Sequence, residues 1–118
     1  VLFRELATWS ARPRWAGSGF TRLAMELADL PGHPARSVAK QHKAVLERHI
    51  AEFLAKADVA SPRARAREIQ LLAEGAMVMI LIHGDRSYAD AAAAAAKRLL
   101  GGEALLASAT ARRRARRK

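Results

Sequence analysis

Cysteine is absent from this chain, which rules out disulfides and thiolate metal sites and fits a reducing compartment; a cytoplasmic protein is expected. Aromatic residues are scarce at 5%, while hydrophobic residues reach 51% and alanine is plentiful. That balance favours packed helices over a sheet rich in aromatic and β-branched side chains, so the expected fold class is all-α. Long apolar runs are missing too. The longest, Gly75 to Ile82, falls far short of the roughly 20 residues a membrane span needs, and Gln70 and Glu74 polarise the turn before it. No signal peptide is recognisable, and a start at Val1 rather than Met fits a processed product or a piece of a longer chain, of which the latter is expected.

Acidic residues are also in short supply, 11 against 21 Lys and Arg, for a formal charge of +10. Six of those bases are Arg112, Arg113, Arg114, Arg116, Arg117 and Lys118; without them 15 face 11, a net of +4. The basicity therefore belongs largely to one segment. At 118 residues the chain is one domain by length, expected over 1–102; of the basic tail 103–118, a helix can run on through Leu105 and Leu106, but from Ala111 it is too charged to pack, and the tail is expected to be disordered.

Helical periodicity organises what is present. Leu2, Phe3, Leu6 and Trp9 recur at helical spacing and stop before Arg12-Pro13, where proline disfavours α geometry in the residue ahead of it. After the Gly17-Ser18-Gly19 turn, Phe20, Leu23, Ala24 and Leu27 form a short second helix ending near Leu30-Pro31-Gly32. From Pro34 a long helix shows an apolar face of Val38, His42, Val45, Leu46, His49, Ile50, Phe53, Leu54 and Ala57, with Lys40, Lys43, Glu47, Arg48 and Glu52 on the remainder. Ser61-Pro62 reads as an N-cap and first helical position, opening a helix that carries Arg63, Arg65 and Arg67 and turns apolar from Ile69. Three arginines there oppose the helix dipole, which an acidic partner or solvation must offset. Beyond Gly84-Asp85, Ser87 and Asp90 resemble a capping box, Ala91 to Ala96 dominate the last helix, and Gly101-Gly102 is expected to stop it.

The helix from Ile69 to Ile82 is apolar almost all the way round, and a chain this small has too little of itself to cover every side. Met77, Met79, Ile80 and Ile82 supply bulk, and small alanines let a facing helix approach closely. Two such hairpins would form a four-helix seam across a two-fold axis, giving a homodimer. The expected seam residues are Gly75, Val78, Met79 and Ile82 on the first helix and Tyr88, Ala91, Ala92, Ala95 and Leu99 on the second. The alternative is that Ala91 to Ala96 simply forms a surface helix of high propensity.

Signals for catalysis are weak. His42 and His49 lie two turns apart on one helix, roughly 10 Å along its axis, too far for one metal, and no HExxH or repeated ExxH pattern occurs. None of Ser10, Ser18, Ser37, Ser61, Ser87 and Ser108 sits in a nucleophile elbow, and Gly17-Ser18-Gly19 follows no strand as a phosphate loop would. Neither an enzyme nor a cofactor or metal site is expected.

Taken in order, Trp15-Ala16-Gly17-Ser18-Gly19-Phe20-Thr21-Arg22-Leu23-Ala24-Met25-Glu26-Leu27, His33-Pro34-Ala35-Arg36, His42-Lys43, Leu71 to Gly75 and Ile82-His83-Gly84-Asp85 resemble the C-terminal domain of TetR-type transcriptional repressors. The resemblance runs to about Leu100 and rests on order and spacing. It implies a helical domain that dimerises through its last two helices and holds a small-molecule pocket, while an N-terminal helix-turn-helix, with no counterpart in these residues, binds operator DNA. Ser18-Gly19 departs from the glycine-cysteine pair common in relatives, and the arginine-rich segment has no family meaning.

Candidates for that pocket are Trp15, Phe20, Leu23 and Leu27 on the short helix and the turn before it, His42, Leu46 and Phe53 on the long one, and Leu72, Ala76 and Met77 on the apolar one, with His42 the preferred polar contact. Core packing explains most of them equally well. The expected partners are thus a second copy, a small apolar or amphipathic ligand, and DNA only through the N-terminal domain. A reading of a different class is a freestanding helical interaction module whose basic tail contacts nucleic-acid phosphates through counterion release.

Overall fold

A computed structural model describes the backbone of residues 2–117 and the side chains of residues 2–101, 113, 116 and 117. Five helices follow one another: α1 (Leu2–Ser10), α2 (Gly19–Glu26), α3 (Pro34–Lys56), α4 (Pro62–His83) and α5 (Ser87–Arg116), with no strand among the described residues. The fold is all-α. α4 is the central element, packed against α3, α5 and α1; α1 also lies on α5, and α2 rests on α3.

Local chemistry fixes most of the boundaries. Ser18, in extended conformation, caps α2 by accepting from the Thr21 N–H at 3.3 Å, and the His33 imidazole Nδ1 caps α3 by accepting from Ala35 N–H at 3.1 Å, with Pro34 in the first turn. Gly84 closes α4 in the left-handed region at φ 67°, where a Cβ would be strained, and its N–H reaches the Ile80 carbonyl at 2.7 Å.

Four expectations are corrected. Ser61 does not cap α4 with its side chain: its backbone is left-handed at φ 52°, not the extended conformation from which a serine N-cap reaches the helix N–H groups. Ser87 and Asp90 form no capping box, because Ser87 is already helical; Asp85 takes the role instead, its Oδ1 accepting from Ser87 N–H at 2.9 Å. Gly101 and Gly102 do not stop α5. Gly101 keeps an ordinary negative φ rather than the left-handed one a glycine stop requires, and the stretch beyond is rich in Ala, Leu and Arg, all strong helix formers. The backbone of 103–116 continues α5 as helix.

The fourth correction concerns α3. Its inward line is Ala39, Lys43, Glu47, Ile50 and Leu54, at helical spacing, while Val38, Val45, Leu46 and Phe53 are exposed. Lys43 and Glu47 turn inward because α4 presents the opposite charges, Glu74 and Arg67, to meet them.

The core is built largely of alanine: Ala39, Ala66, Ala76, Ala89, Ala92 and Ala96 are buried with Phe3, Leu6, Leu54, Ile69 and Ile80, and among the described residues no large side chain is fully enclosed. Small residues bring α4 and α5 close, but leave little apolar volume in the interior. The molecule is long and thin, 60 × 33 × 19 Å, about two helix layers deep.

Candidate functional site

A polar knot joins three helices. Lys43 on α3 forms an ion pair with Glu74 on α4, each side chain 25% exposed. Thr21 on α2 donates its hydroxyl to Glu74 Oε2 at 2.9 Å, Lys43 Nζ donates to Ser18 Oγ at 3.3 Å, and Gln70 Nε2 donates to the Lys43 carbonyl at 3.0 Å. Every group in the knot has a partner, which is what makes half-buried charge tolerable. Beside it the Phe20 ring stacks on the His42 imidazole, centroids 4.1 Å apart and planes 16° apart.

The knot is a shared wall between two grooves. One, about 750 Å³, opens between α1, α3 and α4; Leu6, Trp9, Leu46, Ile50, Ala73 and Met77 supply apolar lining, His42 stands on its α3 side, and Arg4, Glu5 and Arg12 are on its α1 side. The other, about 860 Å³, lies between α2, α3 and α4 and mixes Phe20, Met25, Pro31 and Leu71 with Arg36, Lys40, Glu47 and Arg67. A third recess, about 670 Å³, runs between α1, α3 and α5 past Phe3, Phe53, Ile69 and Leu100. Their apolar linings with a few polar groups at the edge are the chemistry of a site for an apolar or amphipathic small molecule.

The expected pocket residues do not converge on one place. His42, Leu46 and Met77 share the α1–α3–α4 groove. Phe20 lines the neighbouring groove and meets the first group through its stack on His42. Phe53, 72% exposed, borders the third recess, and Ala76 is buried in the core, with Leu72 packed against it. Leu23 and Leu27 are half-buried and line none of these three grooves. Trp15 meets Trp9 edge-to-face at 5.3 Å, and its buried indole N–H has no hydrogen-bond partner. It neighbours Ile80 and Leu81 rather than a groove of the ligand type.

Periodicity did not reveal the knot, since Lys43 had been placed on the solvent side of α3. The available signal was Gln70 and Glu74, two polar residues one turn apart in an otherwise apolar stretch, which require a polar partner. Ser18 and Thr21 carried no signal beyond turn and cap chemistry.

Along α4, Leu71, Gly75, Val78 and Ile82 follow at intervals of four, three and four and make a stripe left largely uncovered among the described residues; Leu71 and Ile82 are 69% and 66% exposed and Val78 is half-buried. Met79 flanks it, half-buried. On α5, Tyr88, Ala95 and Leu99 are half-buried and Ala91 exposed, and Tyr88 stacks on His83 at 5.5 Å where the two helices meet. Ala92 differs from the rest of the expected seam: it is 7% exposed and belongs to the chain's own core. Leu71, not among the expected seam residues, is the most exposed apolar residue of the stripe.

Among the described residues no group of three or more His, Asp or Glu is placed to hold a metal ion, and no helix is long and apolar enough to cross a membrane. Against known protein families, curated proteins and solved structures the chain shows no match.

Proposed function

We propose that this chain is the ligand-sensing and dimerising domain of a TetR-like transcriptional repressor, acting in the cytoplasm as a homodimer. In this reading a small apolar or amphipathic molecule controls DNA binding by a helix-turn-helix domain outside these residues. The proposal assigns it no catalytic step, cofactor or metal. The observation that carries the reading is the α1–α3–α4 groove, with Leu6, Trp9, Leu46, Ile50 and Met77 in its lining beside the Lys43–Glu74 pair. The uncovered stripe on α4 supports the dimer, and the ordered resemblance of Trp15 to Asp85 supplies the family.

The mechanism is a population shift. α1 packs on α4 and α5 but forms one wall of a groove whose other wall is α3. A molecule seated there braces α1 against α3 and favours one arrangement of the N-terminal helix over others, by no more than its difference in affinity for the two. Whatever α1 carries ahead of it is repositioned in both copies of the dimer.

The test is thermal unfolding of the chain with a panel of apolar and amphipathic compounds, anilinonaphthalene sulfonate among them. Stabilisation should rise with the logarithm of compound concentration above its dissociation constant. Leu46→Trp, which fills the groove from a position already partly solvent-facing, should abolish the rise while leaving the unliganded protein folded. A response that survives Leu46→Trp unchanged removes this groove as the site.

A further inference from the structure

α4 and α5 run antiparallel from the short connection at Gly84, so their lengths measure how far one outruns the other: 22 residues against 30. At 1.5 Å per residue the difference is about 12 Å, and the last two turns of α5 extend beyond the level of Pro62. The C-terminal end of α3 arrives at the same end of the molecule, because only a brief connection separates Lys56 from Pro62.

Basic charge predominates there, with Asp58 the acidic residue of the α3–α4 connection. Arg113, Arg116 and Arg117 are exposed, and their spacing of three and four places them along one side of the helix. Lys56 and Arg63 are exposed at the same end. None of these five is paired with a described acidic residue, whereas Arg65 and Arg67 are held by Glu68 at 3.1 Å and Glu47 at 3.2 Å. Arg112, Arg114 and Lys118 add to the run in the sequence.

We propose that this end of the molecule binds the phosphates of a nucleic-acid backbone, without reading base sequence and independently of the α1–α3–α4 groove. Three features select that partner. The segment is almost all arginine rather than lysine, and the guanidinium fork matches phosphate oxygens two at a time. Double-stranded DNA presents a charge about every 1.7 Å of its axis, dense enough to engage successive turns of a basic helix. From Ala111 on, no aromatic or large aliphatic residue occurs, so the segment has nothing to stack on bases or wedge between them, and nothing to sink below lipid headgroups.

The experiment measures anisotropy of labelled duplexes of two unrelated sequences titrated with the whole chain over a potassium chloride series. The expected result is equal affinity for both sequences and a log–log salt slope of about −0.9 per phosphate neutralised. The double variant Arg116→Gln/Arg117→Gln should make the slope shallower by roughly 2 and weaken binding about tenfold or more at low salt. Arg22→Gln/Arg86→Gln, which removes the same charge from exposed positions elsewhere, should leave the slope as it was. Equal losses in the two double variants, or no loss in the first, would overturn the proposal. So would tighter retention by phosphatidylserine-containing vesicles than by duplex. Helical circular dichroism of each variant separates lost contacts from lost structure, and dye-induced thermal stabilisation should be unchanged in Arg116→Gln/Arg117→Gln whatever its DNA affinity.

Discussion

Asp85 organises the α4–α5 turn from a fully solvent-facing position. Its carboxyl is held below the ordinary aspartate range, first by the Ser87 hydroxyl, then by the Ser87 N–H, with a smaller attraction from His83 and a slight opposing effect of desolvation. A carboxyl whose value is depressed in the fold contributes stability that is present above its unfolded value, about 3.9, and lost as pH falls through the folded value. Asp85→Ala should therefore lower the melting temperature at neutral pH, with the two proteins converging as pH is taken below about 4; a gap that stays constant with pH would assign the loss to something other than the charged cap. At this scale the sequence was readable where a residue acts on its own backbone: Pro34, Pro62 and Gly84 sit at the ends they were expected to mark. It was not readable where two neighbouring candidates competed. Ser87 and Asp85 are both capping residues by type, and which one caps depends on where the chain leaves the left-handed Gly84.

α4 is the element whose pattern most exceeds what the chain itself can bury. Its inner line of Ala66, Ile69, Ala73, Ala76 and Ile80 meets the core, and Leu71, Gly75, Val78 and Ile82 remain on the other side. The double variant Val78→Glu/Ile82→Glu places carboxylates on that stripe at positions that are half-buried and exposed in the single chain. Sedimentation should then report a monomer that keeps its helicity, against the dimer proposed for the unaltered chain; a dimer that persists in the double variant would remove the stripe from the interface. Ala92 is unsuited to this purpose, because a large polar side chain there would strike the chain's own core and report folding instead. Helix existence was legible throughout from the 3.6-residue period, but the facing of α3 was not. Counting Val38, Val45 and Phe53 as core follows from hydrophobicity alone, whereas the observed orientation goes with two ion pairs across to α4, whose partners lie 20 and 31 residues further along the chain.

At the scale of the molecule, the radius of gyration is 17.5 Å, against about 13.5 Å for a compact domain of this length. The accessible surface is 8762 Å², against roughly 6,300 Å² for a monomer of this mass. Part of the excess is the projecting end of α5. Exposed apolar side chains on α3 and α4, among them Phe53, Leu71 and Ile82, add to it, and a stable interface removes about 800 Å² from each partner. If a second copy covers α4, unfolding is coupled to dissociation and the melting temperature should climb with protein concentration in differential scanning calorimetry; a midpoint independent of concentration, in a range where sedimentation shows dimer, would mean that the subunits fold without one another's help. The shape also explains why the candidate site was only partly legible. Leu46, His42 and Met77 could be named from one helical face each, but which of the three grooves a residue borders depends on how α1 and α2 lie across α3 and α4, and that is set by long-range contacts. The Lys43–Glu74 pair has a bearing on both sides of α3. Because its atoms form the boundary of the two larger grooves, a guest in one that draws either charge towards itself also withdraws part of the neighbouring groove's lining and its tether to Thr21. Two guests seated in the two grooves would therefore influence each other's binding through that pair, and by thermodynamic reciprocity to the same degree in both directions.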